Sequence, residues 1–93
     1  MDEQLAKKLP LYQSHKKVRA SKIITIQPEN NNHKLGAAHL ILEQEGFPPQ
    51  FMDAIWIQRF RPEVGMYLVV YSDGYTSVSP AKAFEEGNTL IKE

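Results

Sequence analysis

The sequence predicts an α+β fold: a small antiparallel sheet with a C-terminal β-hairpin, residues 66–71 and 75–78, and a short helix over residues 80–86 packed on it. Three observations predict it. Met66 to Tyr71 is the most strand-like run in the chain, dense in β-branched and aromatic residues. Asp73-Gly74 follows and leads into Tyr75-Thr76-Ser77-Val78. Asp-Gly between apolar runs signals a two-residue hairpin turn, whose two central positions need positive φ. Ser79-Pro80 then opens a helical pattern that Gly87 closes.

The 93 residues fit one domain, 1–93, with no room for a second core. A chain this short buries only about 60–65% of its unfolded surface. It has no cysteine, so neither disulfides nor thiolate-held metal reinforce it. Apolar packing must hold it, and a homo-oligomer is one expected way to add more. Met1 to Lys8 lack the apolar run of a signal peptide, and no stretch reaches the roughly 18 apolar residues of a membrane helix. The expectation is a cytoplasmic protein with no membrane segment.

Taken in order, residues 2–9 carry good helix formers with Leu5 and Leu9 four apart, and Pro10 stops the pattern. Residues 1–10 are therefore a short helix or a flexible arm. Residues 17–26 alternate. Val18, Ala20, Ile24 and Ile26 share the expected inner parity, with Lys22 breaking it. Gln27 to His33, with one proline and three asparagines, reads as a loop. Ala37 to Glu43 reads as a strand or a short helix, and Gly46-Phe47-Pro48-Pro49 interrupts it. Residues 50–60 fit both a helical stripe and, at Ile55-Trp56-Ile57, a strand; the helix is preferred. Pro62 to Gly65 is a turn.

With Asp73-Gly74 as the loop, Tyr71 faces Thr76, Val70 faces Ser77 and Val69 faces Val78. One face then carries Tyr67, Val69, Tyr71, Thr76 and Val78. Both faces of the first arm are apolar, which predicts an inner strand covered on both sides. Ser79 is the expected N-cap, Pro80 the first helical residue and Gly87 the left-handed residue that ends the helix. A helix of this length cannot stand alone and is expected to dock through Ala83 and Phe84. Thr89-Leu90-Ile91 adds an edge strand.

Catalytic parts are missing. Ser14-His15 are neighbours that point to opposite faces of a strand, and no phosphate-binding glycine motif occurs. His15, His33 and His39 lie at no metal-helix spacing with a carboxylate. The expectation is no enzyme, no cofactor and no metal site. Charge is uneven beneath a net of zero. Residues 1–22 hold six basic against two acidic side chains, a net of +4, and the rest hold five against nine, a net of −4. Tyr12, His15, Lys16, Lys17 and Arg19 form the candidate anion-binding cluster, suited to a nucleotide or nucleic acid. Arg59 and Arg61, beside Trp56 and Phe60, are residue types enriched at protein-binding hot spots. Asp73, Gly74, Ser79, Pro80 and Gly87 are turn and cap residues.

Two segments carry a resemblance. Tyr12-Gln13-Ser14-His15-Lys16-Lys17-Val18-x-Ala20-x-Lys22-Ile23 and the run from Pro62 to Gly87, with Tyr67-Leu68-Val69-Val70-Tyr71, Asp73-Gly74-Tyr75 and Ser79-Pro80-Ala81-Lys82-Ala83-Phe84-Glu85-Glu86-Gly87, resemble a group of small proteins of tailed phages and prophages. They cover roughly a third to two-fifths of the chain. Where that group carries Tyr after Gly87, this chain has Asn88, an expected loosening of the last segment. The resemblance implies context rather than chemistry: a phage or prophage accessory protein working in a bacterial cytoplasm. Three roles are then expected in order: binding a host or phage protein, binding a nucleotide or nucleic acid (for example to sequester a host defence signal), or serving as a minor virion structural component.

Overall fold

The computed structural model describes residues 1–13, 17–29 and 36–91. A short helix α1 (Glu3–Ala6) precedes β1 (Leu11–Gln13) and the long β2 (Lys17–Pro28). Then come β3 (Ala38–Leu42), β4 (Gln50–Met52), α2 (Ala54–Phe60), the hairpin β5 (Tyr67–Val70) and β6 (Thr76–Ser79), α3 (Ala81–Gly87) and β7 (Thr89–Ile91). All strand pairings are antiparallel. The α+β expectation holds: a mostly antiparallel sheet carries the short helices.

The sheet is organised by β2. Its neighbours along one path run β4-β3-β2-β1-β7, and β5 also pairs with β2 and carries β6. The first part of β2 pairs with β1 and β5, the second with β3. A register shift between Ile23 and Thr25 separates the two parts. The extra residue reverses the side-chain parity beyond it. Val18 and Ala20 therefore enter one apolar cluster, while Ile23 and, past the bulge, Ile26 meet the other. Ile24, expected inside, lies 48% exposed. Gln27 and Pro28, expected in a loop, extend β2. Pro28 is its last residue, where a missing N–H costs the ladder little. The rest of that expected loop, from Asn30 to His33, lies outside the described residues.

The inner-strand expectation for β5 holds. All four of its residues are buried. Leu68 and Val70 join Leu9, Ile23, Leu40 and Leu42 on one side, and Tyr67 and Val69 join Val18, Ala20 and Phe84 on the other. The hairpin register differs by one residue from the expected one. Val70 faces Thr76, Val69 faces Ser77 and Leu68 faces Val78, with the arms at 67–70 and 76–79. The loop has three residues rather than two. Gly74 N–H donates to Tyr71 O at 2.9 Å, and Tyr71 N–H to Tyr75 O at 2.8 Å. Only Gly74, at φ 90°, takes the left-handed geometry here. The Asp73 carboxylate accepts Tyr75 N–H at 2.9 Å, so Asp73 acts through its side chain instead of through positive φ. The slip moves Val78 onto the Leu68 side and puts Ser77 and Ser79 on the tyrosine side.

α3 also differs at its ends. It spans 81–87, not 80–86. Pro80 takes the N-cap position with no side-chain cap bond, and Ser79 belongs to β6 because it pairs with Tyr67. Gly87 is the last helical residue and does not take positive φ. Asn88 ends the helix in extended backbone, its amide donating to Phe84 O at 3.0 Å. The residue expected to loosen this end thus ties it down. Docking is through Phe84 with Ala81, while Ala83 is exposed. The edge strand β7 is present and pairs with β1.

Residues 50–60 divide into strand and helix. Asp53 makes the division: its carboxylate accepts Trp56 N–H at 2.8 Å as the N-cap of α2. Arg61 closes α2 in the left-handed region at φ 46°, where glycine is commoner. Asp53→Ala is expected to cost about 1 kcal/mol. The check is a lower urea midpoint at unchanged slope.

Candidate functional site

β alternation divides the basic N-terminal set. Tyr12 sits opposite Val18 and turns to the α3 side, its ring edge-on to Phe84 at 4.8 Å and to Tyr67 at 6.1 Å. It is packing there, not a free stacking platform. Lys17 and Arg19 line a cleft near α1. Arg59 and Arg61 lie at the end of α2, exposed. His15, Lys16 and His33 lie outside the described residues. His39 is on β3, with Nδ1 2.9 Å from Glu29 and its ring against Phe51.

The cleft has a volume of about 390 Å³. Ala6, Leu11, Val18 and Val70 give it apolar walls, and Lys7, Lys17 and Arg19 line it with cations. The Arg19 guanidinium donates to Leu9 O at 2.8 Å, which fixes its direction. A second cleft of about 440 Å³ adjoins at the hairpin tip, lined by Lys17, Tyr71, Ser72, Asp73 and Tyr75. The two share Lys17, Tyr71 and Ser72 and form one groove.

From the groove an aromatic row continues onto α2. Tyr71 and Tyr75 have centroids 5.8 Å apart, Tyr75 and Phe60 6.4 Å, and Phe60 and Trp56 4.9 Å. The Arg59 guanidinium lies 5.2 Å from the Phe60 centroid. Trp56 Nε1–H donates to Thr76 Oγ1 at 2.9 Å, pinning α2 to the hairpin. The expected two-residue turn hid this row. It paired Tyr71 with Thr76, whereas the three-residue loop sets Tyr71 across from Tyr75. Reading Ser72-Asp73-Gly74 as a loop with glycine in the bulge position finds it.

On the other side, Tyr67 OH donates to Glu85 Oε2 at 2.7 Å, and Lys22 Nζ lies 3.6 Å from the same oxygen. Burial, then the Glu85 bond, hold the Tyr67 phenol well above its ordinary range. The Tyr67 bond holds the Glu85 carboxyl below its own; burial, the next effect in size, opposes it, and the Lys22 charge adds to the lowering. The arrangement clips α3 to β5 and β2. A lowered carboxyl contributes stability that is present above pH 4.5 and lost as pH falls through the folded value. A raised phenol contributes stability present below pH 10.0 and lost above it. Thermal unfolding of the native chain and of Glu85→Gln is therefore expected to differ at neutral pH and to converge below pH 4.5.

Among the described residues no three His, Asp or Glu gather as a metal site. Among the described residues, too, no helix is long and apolar enough to cross a membrane.

No protein-family profile matches the chain, and no curated protein matches it. Among solved structures it is similar to the monomeric form of the phage L decoration protein, with 30% identity and a TM-score of 0.66. The match covers 87% of this chain and 58% of that protein, so the chain spans under two thirds of its length.

Proposed function

We propose that this chain is a phage accessory protein that attaches to an assembled capsid as decoration, without catalysis. The likeness to the phage L decoration protein carries the reading, because 30% identity across 87% of the chain reaches further than shared architecture. The two motifs that resemble small phage and prophage proteins support the same context. Of the three roles expected from sequence, the virion component gains most from this comparison. Its partner is then a capsid protein, and it is made in the bacterial cytoplasm before particles leave the cell. The nucleotide reading loses the stacking ring it relied on, since Tyr12 is packed against Phe84.

Particles purified from the phage or induced prophage carrying the gene are expected to contain the chain. Purified chain is expected to cosediment with particles stripped of it. Absence from particles together with no cosedimentation overturns the reading. Light scattering on the same preparation reports whether it attaches as a monomer or as the homo-oligomer expected from its thin core.

A further inference from the structure

We infer that the groove between α1 and the hairpin tip, with the aromatic row beside it, is the surface that grips the partner, and that its occupant is an extended acidic protein segment carrying an apolar anchor. The inference rests on the decoration reading for its partner and on the groove itself for the chemistry.

Three observations carry it. First, charge: Lys7 and Lys17 line the groove, Arg59 flanks the row, and none of the three pairs with a carboxylate among the described residues. Among the described residues, Asp73 is the one carboxylate that lines the groove, with one oxygen accepting Tyr75 N–H, against the three cations Lys7, Lys17 and Arg19. An acidic segment supplies the missing counter-charge, with long-range attraction aiding encounter. Second, shape: apolar walls under a cationic lining suit a chain whose acidic side chains reach outward while one apolar side chain fills the cleft. Third, composition and stiffness: Trp, Tyr and Arg are enriched at binding hot spots and Phe at interfaces, the rings of the row contact one another, and Trp56 is fixed by its bond to Thr76. Little order remains to be lost on binding.

A nucleic acid fits less well. Stacking bases need open ring faces. Trp56, Phe60 and Tyr71 are half-buried, Trp56 against Phe60 and Tyr71 against Tyr75; of the row only Tyr75, at 46%, is clearly exposed. The acidic residues outside the N-terminal part bring the chain to zero net charge, without the basic footprint of most duplex-binding domains.

The test uses the full chain and two probes: stripped capsids, and a synthetic peptide of about twelve residues alternating glutamate with leucine and phenylalanine, followed by Trp56 fluorescence. Lys17→Glu, Arg59→Glu and Tyr75→Ala are each expected to weaken binding about tenfold or more. Lys82→Glu, on exposed α3, is expected to change it less than about twofold. Binding of the peptide is expected to fall steeply as salt rises from about 0.1 M to about 1 M. Circular dichroism melts confirm that each variant folds. Capsid binding that all four variants retain equally overturns the groove while leaving the decoration reading intact. Peptide binding through the groove with no capsid binding supports the groove and removes the decoration reading. Failure of both probes overturns the groove. So does tighter binding of a single-stranded oligonucleotide that Lys17→Glu abolishes.

Discussion

Leu68→Ala is expected to remove about 3–5 kcal/mol of stability, enough to leave the domain barely folded. Leu68 is fully buried at the centre of β5, set between Ser21 of β2 and Val78 of β6. It packs in the cluster that also holds Leu9, Ile23, Leu40 and Val70. Truncation forfeits the transfer energy of the lost carbons and leaves a cavity, because neighbours fixed by strand pairing on both edges relax little. Small domains hold only about 5–15 kcal/mol in total. A loss of about 3 kcal/mol corresponds to roughly 12–24 °C in melting temperature for a chain of this size. Calorimetry reads it directly. A drop of only a few degrees would mean that the two sides of β5 repack as one.

Phe84→Ala is the second large effect, about 3–5 kcal/mol, with a different signature. Phe84 is the one buried residue of α3. Its ring stacks on Tyr67 at 4.4 Å and 25° and meets Tyr12 edge-on. A seven-residue helix has no stability of its own, so losing this ring is expected to undock α3 and loosen β7 after it. The near-ultraviolet circular dichroism of Tyr12 and Tyr67 should fall. Amide exchange should rise across 81–91 while β2, β3 and β5 stay protected. Equal loss of protection in β5 would show that α3 and the sheet open together.

What could be read from the chain follows from how local each signal is. β5 declared itself because both parities of Tyr67-Leu68-Val69-Val70 are apolar, which only a strand covered on both sides can use. β7 was legible as the short apolar run after Gly87. The hairpin register was not, because Asp-Gly serves both two-residue and three-residue loops. The three-residue loop comes with a contact that the pattern does not reveal, the Asp73 carboxylate accepting Tyr75 N–H. Ile24 misled for a similar reason: alternation assumes an unbroken pleat, and the bulge beside it is set by the partner strand β3. Asp53 was a capping residue in plain view between two ambiguous halves. In the candidate site, the sequence singles out Lys17 and Arg19 as anion-binding and Arg59 as protein-binding candidates; the structure places the first two at one cleft and Arg59 at the exposed end of α2. Tyr12 lies two residues from Pro10 and only one strand away from Arg19, yet alternation turns it to the opposite side. The rings that do flank Lys17, Tyr71 and Tyr75, lie more than fifty positions further along the chain.

β1 lies between β2 and β7, so an early strand is held on one edge by one of the latest. β2 in turn waits for β5, roughly fifty positions downstream. Assembly must close these long loops before their contacts reward it, which slows folding relative to a chain built from local contacts. A nascent chain emerging from the ribosome cannot complete its sheet until Ile91 is free. Until then β1 presents an open edge to any neighbouring strand, and crowded synthesis is when this protein is most exposed to aggregation.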